Sequence, residues 1–292
     1  MTTKPTQAKP RWLRRTLPTG PQYERIRALI RDQCLHTVCQ EAMCPNQFEC
    51  FAKGTATFMI LGDRCSRTCC FCAIGHGPQG MPDPAEPDRV AEAVQTMGLS
   101  FCVITSVTRD DLADGGAAHF AATIGAIRAR NPRTLIEVLI PDFQGDADAL
   151  ETVLAARPDV LNHNLETVAR LYPAVRPEAD YHRSLDLLRR VRAIAPAMVS
   201  KCGIMVGLGE TAEELTRLFA DLRATGCDIL TIGQYLQPSR RHLPVARFLP
   251  PDEFAALERQ ALAQGFSAVA AAPFVRSSYQ AEALYRQVRR TG

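Results

Sequence analysis

Cys65-Ser66-Arg67-Thr68-Cys69-Cys70-Phe71-Cys72 lies just beyond Ala56-Thr57-Phe58-Met59-Ile60-Leu61-Gly62, an apolar run that reads as a β-strand. The stretch sets three thiols, Cys65, Cys69 and Cys72, in a C-x₃-C-x₂-C spacing at a strand end. Soft ligands at such short intervals wrap one face of an iron–sulfur cubane, and a cubane held by three of them keeps one iron open. The bland alternative is a zinc knuckle or a loop of buried thiols. Zinc sites, however, want four protein ligands at paired spacings.

Outward from this stretch, strand-like runs alternate with amphipathic helical ones. Strands are expected at about 56–62, 101–106, 134–140, 159–163, 198–206 and 228–235, with helices at roughly 88–98, 117–130, 146–156, 181–195, 211–225 and 251–264. The strands are continuous Ile-, Val- and Leu-rich runs, the pattern of a parallel sheet covered on both faces. Six βα units predict an α/β fold, an open or partial (β/α)6 barrel, with ligands at the carboxyl ends of the strands. A helix is expected at 23–33 before the barrel and another at 281–290 after it. The organisation expected is 1–54 as an N-terminal arm and cluster-binding extension, 55–250 as the barrel, and 251–292 as a C-terminal extension.

A second triplet precedes the first: Cys39, Cys44 and Cys50 in a C-x₄-C-x₅-C spacing. It too supplies three thiolates, and His36 would complete a Cys₃His zinc site on spacing alone. The expected strand ends carry Thr105-Ser106, Arg109-Asp110-Asp111, Asn162-His163-Asn164-Leu165-Glu166, Lys201, Gly207-Leu208-Gly209-Glu210-Thr211 and Gln234. His163 taken alone reads as a core histidine satisfied by its neighbours. Gly207-x-Gly209 is too short for a dinucleotide fingerprint and reads as a close backbone approach to a ligand. The loop Gln237-Pro238-Ser239-Arg240-Arg241-His242-Leu243-Pro244-Val245 reads as solvated, and Cys34, Cys70, Cys102, Cys202 and Cys227 as buried small apolar residues.

The 292 residues are 46% hydrophobic and 22% charged, as in globular proteins, and the net charge of +3 names no partner. No apolar run approaches a bilayer helix and no export signal is present, so no membrane association is expected. Eleven cysteines in such a chain point to a reducing compartment, the cytoplasm, and to metal ligation over disulfides. The first 23 residues hold Lys4, Lys9, Arg11, Arg14 and Arg15 and no acid. Pro5, Pro10 and Pro18 argue against a helical presequence, leaving a solvated tail or an arm that docks an acidic protein.

The C-x₃-C-x₂-C spacing with an aromatic before its last Cys resembles the radical S-adenosylmethionine (SAM) superfamily. The chain as a whole resembles the lipoyl synthase family over nearly its full length. The resemblance rests on Trp12-Leu13-Arg14, Leu35-His36-Thr37-Val38-Cys39, Glu41-Ala42-Met43-Cys44-Pro45-Asn46, the Cys65–Cys72 stretch with Gly75-His76-Gly77, and Ile104-Thr105-Ser106-Val107 with Arg109-Asp110-Asp111-Leu112. It continues through Asn162 to Glu166, Met205 to Thr211, Gly233 to Arg240, and Arg276-Ser277-Ser278-Tyr279.

The resemblance implies a TIM-like partial barrel of the radical SAM type. It implies insertion of two sulfur atoms at C6 and C8 of a protein-bound octanoyl-lysine, with SAM and two 4Fe-4S clusters as cofactors. Cys65, Cys69 and Cys72 then hold the SAM-cleaving cluster. Cys39, Cys44, Cys50 and a serine of Arg276–Tyr279, Ser278 in preference to Ser277, hold an auxiliary cluster that is consumed as sulfur donor. Candidate SAM contacts are Thr105, Ser106, Asn164, Lys201, Gly207 and Gly209, with Arg183 and Glu137 behind them. The implied partners are octanoylated lipoyl carrier domains (the 2-oxoacid dehydrogenase E2 subunit and the glycine cleavage H protein), reduced ferredoxin or flavodoxin, and an iron–sulfur carrier protein, with no nucleic acid and no membrane. Cys202, Ala169 and Glu178 stand where that family tends to have serine, proline and glycine. The rival readings are a methylthiotransferase-like two-cluster enzyme, which needs an appended nucleic-acid module not found here, and a non-catalytic iron–sulfur or zinc protein.

Overall fold

The computed structural model describes residues 9–14 and 20–291, so that Lys4 and Arg15 of the basic arm, with Pro5 and Pro18, lie outside the described residues. The chain enters through α1 (Pro21–Asp32), β1 (His36–Thr37), α2 (Val38–Glu41) and α3 (Gln47–Ala52), the last two carrying Cys39 and Cys50. Pro21 starts α1, where its missing N–H costs nothing, and Tyr23, Ile26 and Ile30 form its buried face. The short α2 begins at Thr37, whose hydroxyl caps the Gln40 N–H.

The barrel follows as β2 (Thr57–Ile60), a two-stranded ribbon of β3 (Arg64–Cys65) and β4 (Gly75–His76), and then α4 (Glu86–Met97), β5 (Phe101–Ser106), α5 (Ala117–Arg130), β6 (Leu135–Leu139) and α6 (Ala147–Ala155). It continues through β7 (Val160–Asn162), α7 (Tyr172–Val175), α8 (Tyr181–Ile194), β8 (Val199–Val206), α9 (Ala212–Ala224), β9 (Ile229–Gln234), α10 (Pro251–Ala263), β10 (Ala268–Ala272) and α11 (Ala281–Thr291). The main sheet has the order β1-β2-β5-β6-β7-β8-β9-β10, with only β1 antiparallel. Every residue of β2, β7 and β9 is buried, as a sheet covered on both faces requires.

The six expected βα units are present, so the partial (β/α)6 barrel is borne out. The structure adds β10, a seventh parallel strand that the sequence reading missed, paired with β9 from Ala268↔Ile229 to Ala272↔Gly233. Four alanines in Ala-Val-Ala-Ala-Ala carry little strand signal, and pairing with β9 overrides that weak propensity.

The sheet does not close, because β1 and β10 are its two edges. The open side is spanned by α11, which touches both β10 and β5. Its Ala281, Leu284, Tyr285 and Val288 recur at helical spacing and pack on Phe101, Val103, Val160, Val199, Ile229 and Ala268. These residues lie in the first halves of their strands, so α11 plugs the barrel at its amino-terminal end. Burying a side chain such as Leu284 stabilises that plug by roughly 1.5–3 kcal/mol. Ligand chemistry is left to the opposite, carboxyl-terminal end.

Candidate functional site

Cys39, Cys44, Cys50, Cys65, Cys69 and Cys72 all line one cavity of about 850 Å³ at the carboxyl end of the strands. None is in a disulfide. The loop bearing the second three is fixed from several sides. Ser66 donates its N–H and its hydroxyl to the Thr108 carbonyl and accepts from the Asp110 N–H, each at 3.0 Å. Arg67 is buried and forks onto Asp110 at 2.7 and 3.0 Å, with a further bond to Asp142 at 2.6 Å. Asp142 also accepts from Arg183 at 2.8 Å. Burial works against the Asp142 charge, but the Arg67 bond wins and holds its carboxyl below the ordinary range. Glu178 accepts from the Thr68 N–H at 3.2 Å and from its hydroxyl at 2.5 Å. The residue standing where the resembling family tends to have glycine thus grips the cluster loop.

The loop after β9, expected to be solvated, is instead a strap across the cysteine loop. The Leu243 N–H donates to the Cys70 carbonyl at 3.1 Å, and His242 Nε2 meets the Cys72 carbonyl at 2.9 Å. With Nε2 donating, Nδ1 is left to accept from the Ser239 hydroxyl at 2.9 Å. Tyr235 and Gln237 tie the strap back to β9 through the carbonyls of Leu243 and His242, each at 2.8 Å.

The first triplet is tied to the segment before α11. Asn46 Nδ2 donates to the Phe274 carbonyl at 2.7 Å, and the Tyr279 hydroxyl bonds Glu49 Oε1 at 3.2 Å, on the helix of Cys50. Ser277 and Ser278, between those two ties, both line the cavity. They differ in occupation. The Ser277 hydroxyl accepts from Asn164 Nδ2 at 2.7 Å inside the barrel mouth, whereas the Ser278 hydroxyl has no hydrogen-bond partner among the described residues. His36, the fourth ligand of a zinc reading, turns Nδ1 to Glu41 at 3.3 Å and lies off the cavity wall.

Of the expected cofactor contacts, Thr105, Ser106 and Asn164 line the cavity. Thr105 gives its hydroxyl hydrogen to the Leu139 carbonyl at 3.0 Å, while Ser106 Oγ and Asn164 Oδ1 are buried without a partner. Asn164 Nδ2 also donates to Glu166 at 2.9 Å. Gly203 is what lets these groups converge, since a Cβ there would lie 2.7 Å from Asn164 Oδ1 and 2.9 Å from both Ser277 Oγ and Thr231 Oγ1.

Two residues absent from the expected contacts stand with them. Arg176 is buried, donates to the carbonyls of Asn164 and Leu165 at 2.8 and 3.2 Å, and leaves Nε without a partner beside Cys69. Burial pushes the Glu166 carboxyl up, against the pull of Arg176 and Asn164. Glu166 had a signal in the Asn162–Glu166 run, whereas Arg176 had none, because only the fold of α7 brings it to the strand ends.

The structure places Lys201, Gly207 and Gly209 off the cavity wall. Lys201 is fully buried and pairs with Glu137 at 2.8 and 3.0 Å, with Asn162 adding a bond to Glu137 at 3.2 Å. Gly207, at φ +96°, is crowded by Gln234 and the Arg247 carbonyl, and Glu210 closes the turn by accepting from the N–H groups of Gly207 and Leu208 at 2.6 and 2.9 Å. That glycine serves an approach of backbone to backbone. His163 is the satisfied core histidine expected, held by the Ile140 carbonyl at 2.9 Å and Ser184 at 3.1 Å, and burial lowers its pKa to about 4. Cys102, Cys202 and Cys227 are buried, but Cys34 is exposed and Cys70 half-buried.

The donor set fits iron–sulfur clusters. Among the described residues no three His, Cys, Asp or Glu side chains converge on a single ion, as a zinc site demands. The thiolates of a cubane each bind a different iron and stand apart. Burial pushes Cys39 and Cys69 up to about 12 and Cys50 and Cys72 up to about 11, so these thiols rest protonated and a bound metal would take them as thiolates. The orphaned Ser106 Oγ, Asn164 Oδ1 and Arg176 Nε fit a polar, charged ligand beside the Cys65–Cys72 loop.

The radical SAM superfamily model matches residues 59–222, and the model for the N-terminal domain of lipoyl synthase matches residues 2–44. The chain is 63% identical over 279 residues to the lipoyl synthase of Desulfotalea psychrophila, covering 96% of this chain and 93% of that one. It is 54% identical over 279 residues to the lipoyl synthase of Thermus thermophilus, covering 95% of this chain and 86% of that one. Among solved structures, Streptococcus suis SuiB bound to S-adenosylmethionine superposes with a TM-score of 0.58 at 11% identity, over 77% of this chain and 54% of that one. The hydrogenase maturase HydG does so with a TM-score of 0.58 at 13% identity, over 79% and 54%. At such identities these two speak for the fold alone.

Proposed function

Given that the chain belongs to the lipoyl synthase family within the radical SAM superfamily, we infer that it converts a protein-bound octanoyl-lysine to the lipoyl group by inserting sulfur at C6 and C8. The observation that carries this reading is the pair of three-thiol sets on one cavity, whose wall also carries Ser278, a serine hydroxyl without a hydrogen-bond partner among the described residues. The substrate carbons bear unactivated C–H bonds that no side-chain acid or base deprotonates. When bound, a 4Fe-4S cluster with SAM supplies the 5′-deoxyadenosyl radical that breaks such bonds, and a second 4Fe-4S cluster supplies the sulfur.

The residues divide the work accordingly. Cys65, Cys69 and Cys72 would hold the SAM-cleaving cluster, with Thr105, Ser106 and Asn164 offering polar contacts to the cofactor and Arg176 a cation. Lys201 serves beneath them, keeping Glu137 neutralised in the barrel. Cys39, Cys44, Cys50 and Ser278 would hold the second cluster. Ser278 is favoured over Ser277 because the Ser277 hydroxyl is committed to Asn164. A serine oxygen is a harder partner for iron than thiolate, which suits a cluster meant to be dismantled. The strap and the plugging α11 keep the cavity closed on two sides, so that a radical formed there meets substrate before water.

In this reading residues 1–54 carry the sulfur-donating site, 55–250 the radical site, and 251–292 complete the first. Octanoylated lipoyl domains are the substrate class, and the 2-oxoacid dehydrogenase E2 subunit and the glycine cleavage H protein are the carriers we favour. Reduced flavodoxin or ferredoxin as electron source and an iron–sulfur carrier protein for repair complete the set. Among the described residues no helix is long and apolar enough to cross a membrane, and the many thiols suit the cytoplasm. The test is mass spectrometry of an octanoyl-lysine peptide incubated with reconstituted protein, SAM and dithionite. Two added sulfurs and about eight irons per chain are expected. Replacing Cys39, Cys44 and Cys50 together by Ala should keep 5′-deoxyadenosine release and abolish sulfur insertion, and loss of both at once would overturn the division.

A further inference from the structure

The Asn164 amide spends both its hydrogens, one on Glu166 at 2.9 Å and one on the Ser277 hydroxyl at 2.7 Å. Its Oδ1 lies buried on the cavity wall without a partner, which is costly for an acceptor unless a ligand brings a donor to it. Ser277 belongs to the segment before α11, which β8 and β9 admit into the barrel mouth by giving up two side chains. A Cβ on Gly203 would lie 2.9 Å from Ser277 Oγ, and one on Gly233 would collide with the Val275 carbonyl. The same segment is tied toward the first thiol set by Asn46 at Phe274 and by Glu49 at Tyr279. Of its two serines, only Ser277 is bonded by its side chain to the barrel, among the described residues. A single side-chain bond therefore joins a group beside the Cys65–Cys72 loop to the residue next to Ser278.

Resting on the reading of Asn164 as a SAM contact and of Ser278 as an iron ligand, we propose that Ser277 is a positioning residue that couples the two sites: Asn164, once bound SAM satisfies its Oδ1, holds Ser277 and with it Ser278 against the first thiol set. With Oδ1 engaged, the amide is fixed at both ends and Nδ2 stays on Ser277. With Oδ1 free, it is fixed at one end only and the Ser277 bond breaks more easily. The lever is short, because the Cα atoms of Ser277 and Ser278 are about 3.8 Å apart across one peptide. Linkage is reciprocal, so an iron held by Ser278 tightens SAM binding by the same factor. One neutral hydrogen bond sets that factor at about fivefold. The consequence is an order of events: Ser278 is held while SAM is whole, and is loosened when the fragments of SAM leave Asn164.

The experiment compares wild type with Ser277→Ala, both reconstituted and kept without reductant, so that SAM binds and is not cleaved. Saturating SAM should slow the loss of iron from the first thiol set to a chelator about fivefold in the wild type, and less than twofold in Ser277→Ala. The reverse arm is equilibrium dialysis of SAM. Replacing Cys39, Cys44 and Cys50 together by Ala should weaken SAM binding about fivefold in the wild-type background and leave it unchanged in the Ser277→Ala background. A serine that merely supports the fold would alter stability or the basal rate of iron loss, and would leave the effect of SAM on that rate intact. Asn164→Asp, which keeps an acceptor at Oδ1 and removes the donor to Ser277, should abolish the coupling in the same way. Equal protection by SAM with and without the Ser277 hydroxyl, or an equal effect of the cysteine substitutions in both backgrounds, would overturn the proposal. If Ser278→Ala kept its iron at the wild-type rate of loss, the reading of Ser278 as a ligand would fail, while the dialysis arm would still decide whether Ser277 joins Asn164 to the first thiol set.

Discussion

The hydroxyl of Tyr279 lies 3.2 Å from Glu49 Oε1, joining the segment that carries Ser278 to the helix that carries Cys50. One half-buried hydrogen bond of this kind is worth about 1 kcal/mol. Tyr279→Phe should therefore leave the fold intact but loosen Ser278 from the first thiol set. The expected outcome is faster loss of about half the iron to a chelator, with 5′-deoxyadenosine release unchanged and lipoyl yield reduced. Uniform loss of all iron would contradict it.

Gly203 sits under the meeting point of Asn164, Ser277 and Thr231. Gly203→Ala puts a methyl within 3 Å of three oxygens, and overpacking of this kind costs roughly 1–3 kcal/mol. Because Asn164 and Ser277 are what must move, the affinity for SAM should fall further than the melting temperature predicts. Equilibrium dialysis of SAM against the reconstituted variant measures it. A variant as stable as the wild type with unaltered SAM affinity would show that the groups above Gly203 do not position the cofactor.

Lys201 and Glu137 form an ion pair with almost no solvent contact. Removing one partner strands the other, at a cost of about 3–5 kcal/mol. Lys201→Met should thus lower thermal stability sharply, and the double change with Glu137→Leu should restore much of it. A double-mutant cycle by thermal melting checks this. If Lys201→Met left stability untouched and abolished only SAM binding, the lysine would be a cofactor contact after all.

His163 ties stability to acid. Burial leaves it neutral in the fold down to about pH 4, whereas in the unfolded chain it takes a proton near pH 6.5. Between those values the unfolded state binds the extra proton, so the contribution of His163 is fully present above pH 6.5 and is lost as pH falls toward 4. His163→Gln should flatten the decline in melting temperature between pH 6.5 and 4.5. An identical slope in both proteins would place the acid sensitivity elsewhere.

What the sequence revealed and what it hid follow a physical line. The strands β2 and β5 to β9 were legible because burial on both faces writes continuous apolar runs, and the six thiols because short spacings along the chain need no tertiary knowledge. Contacts made through backbone were invisible. The strap looked solvated because its partners are the carbonyls of Cys70 and Cys72, and no side-chain pattern announces a carbonyl. Lys201 looked like a strand-end residue, but it is the third residue of β8, and the Glu137 that pairs with it lies two strands away. Arg176 was missed because α7 is a single turn with no periodicity to mark it.

The bond from Asn46 to the Phe274 carbonyl spans 228 positions of sequence. A ribosome delivers Cys39, Cys44 and Cys50 long before it delivers the segment that closes over them. During that interval the first thiols emerge as an open cup with no lid. With Ser278 as the last ligand of the proposed sulfur-donating site, that site can be completed only after the barrel has been threaded and its base sealed by α11.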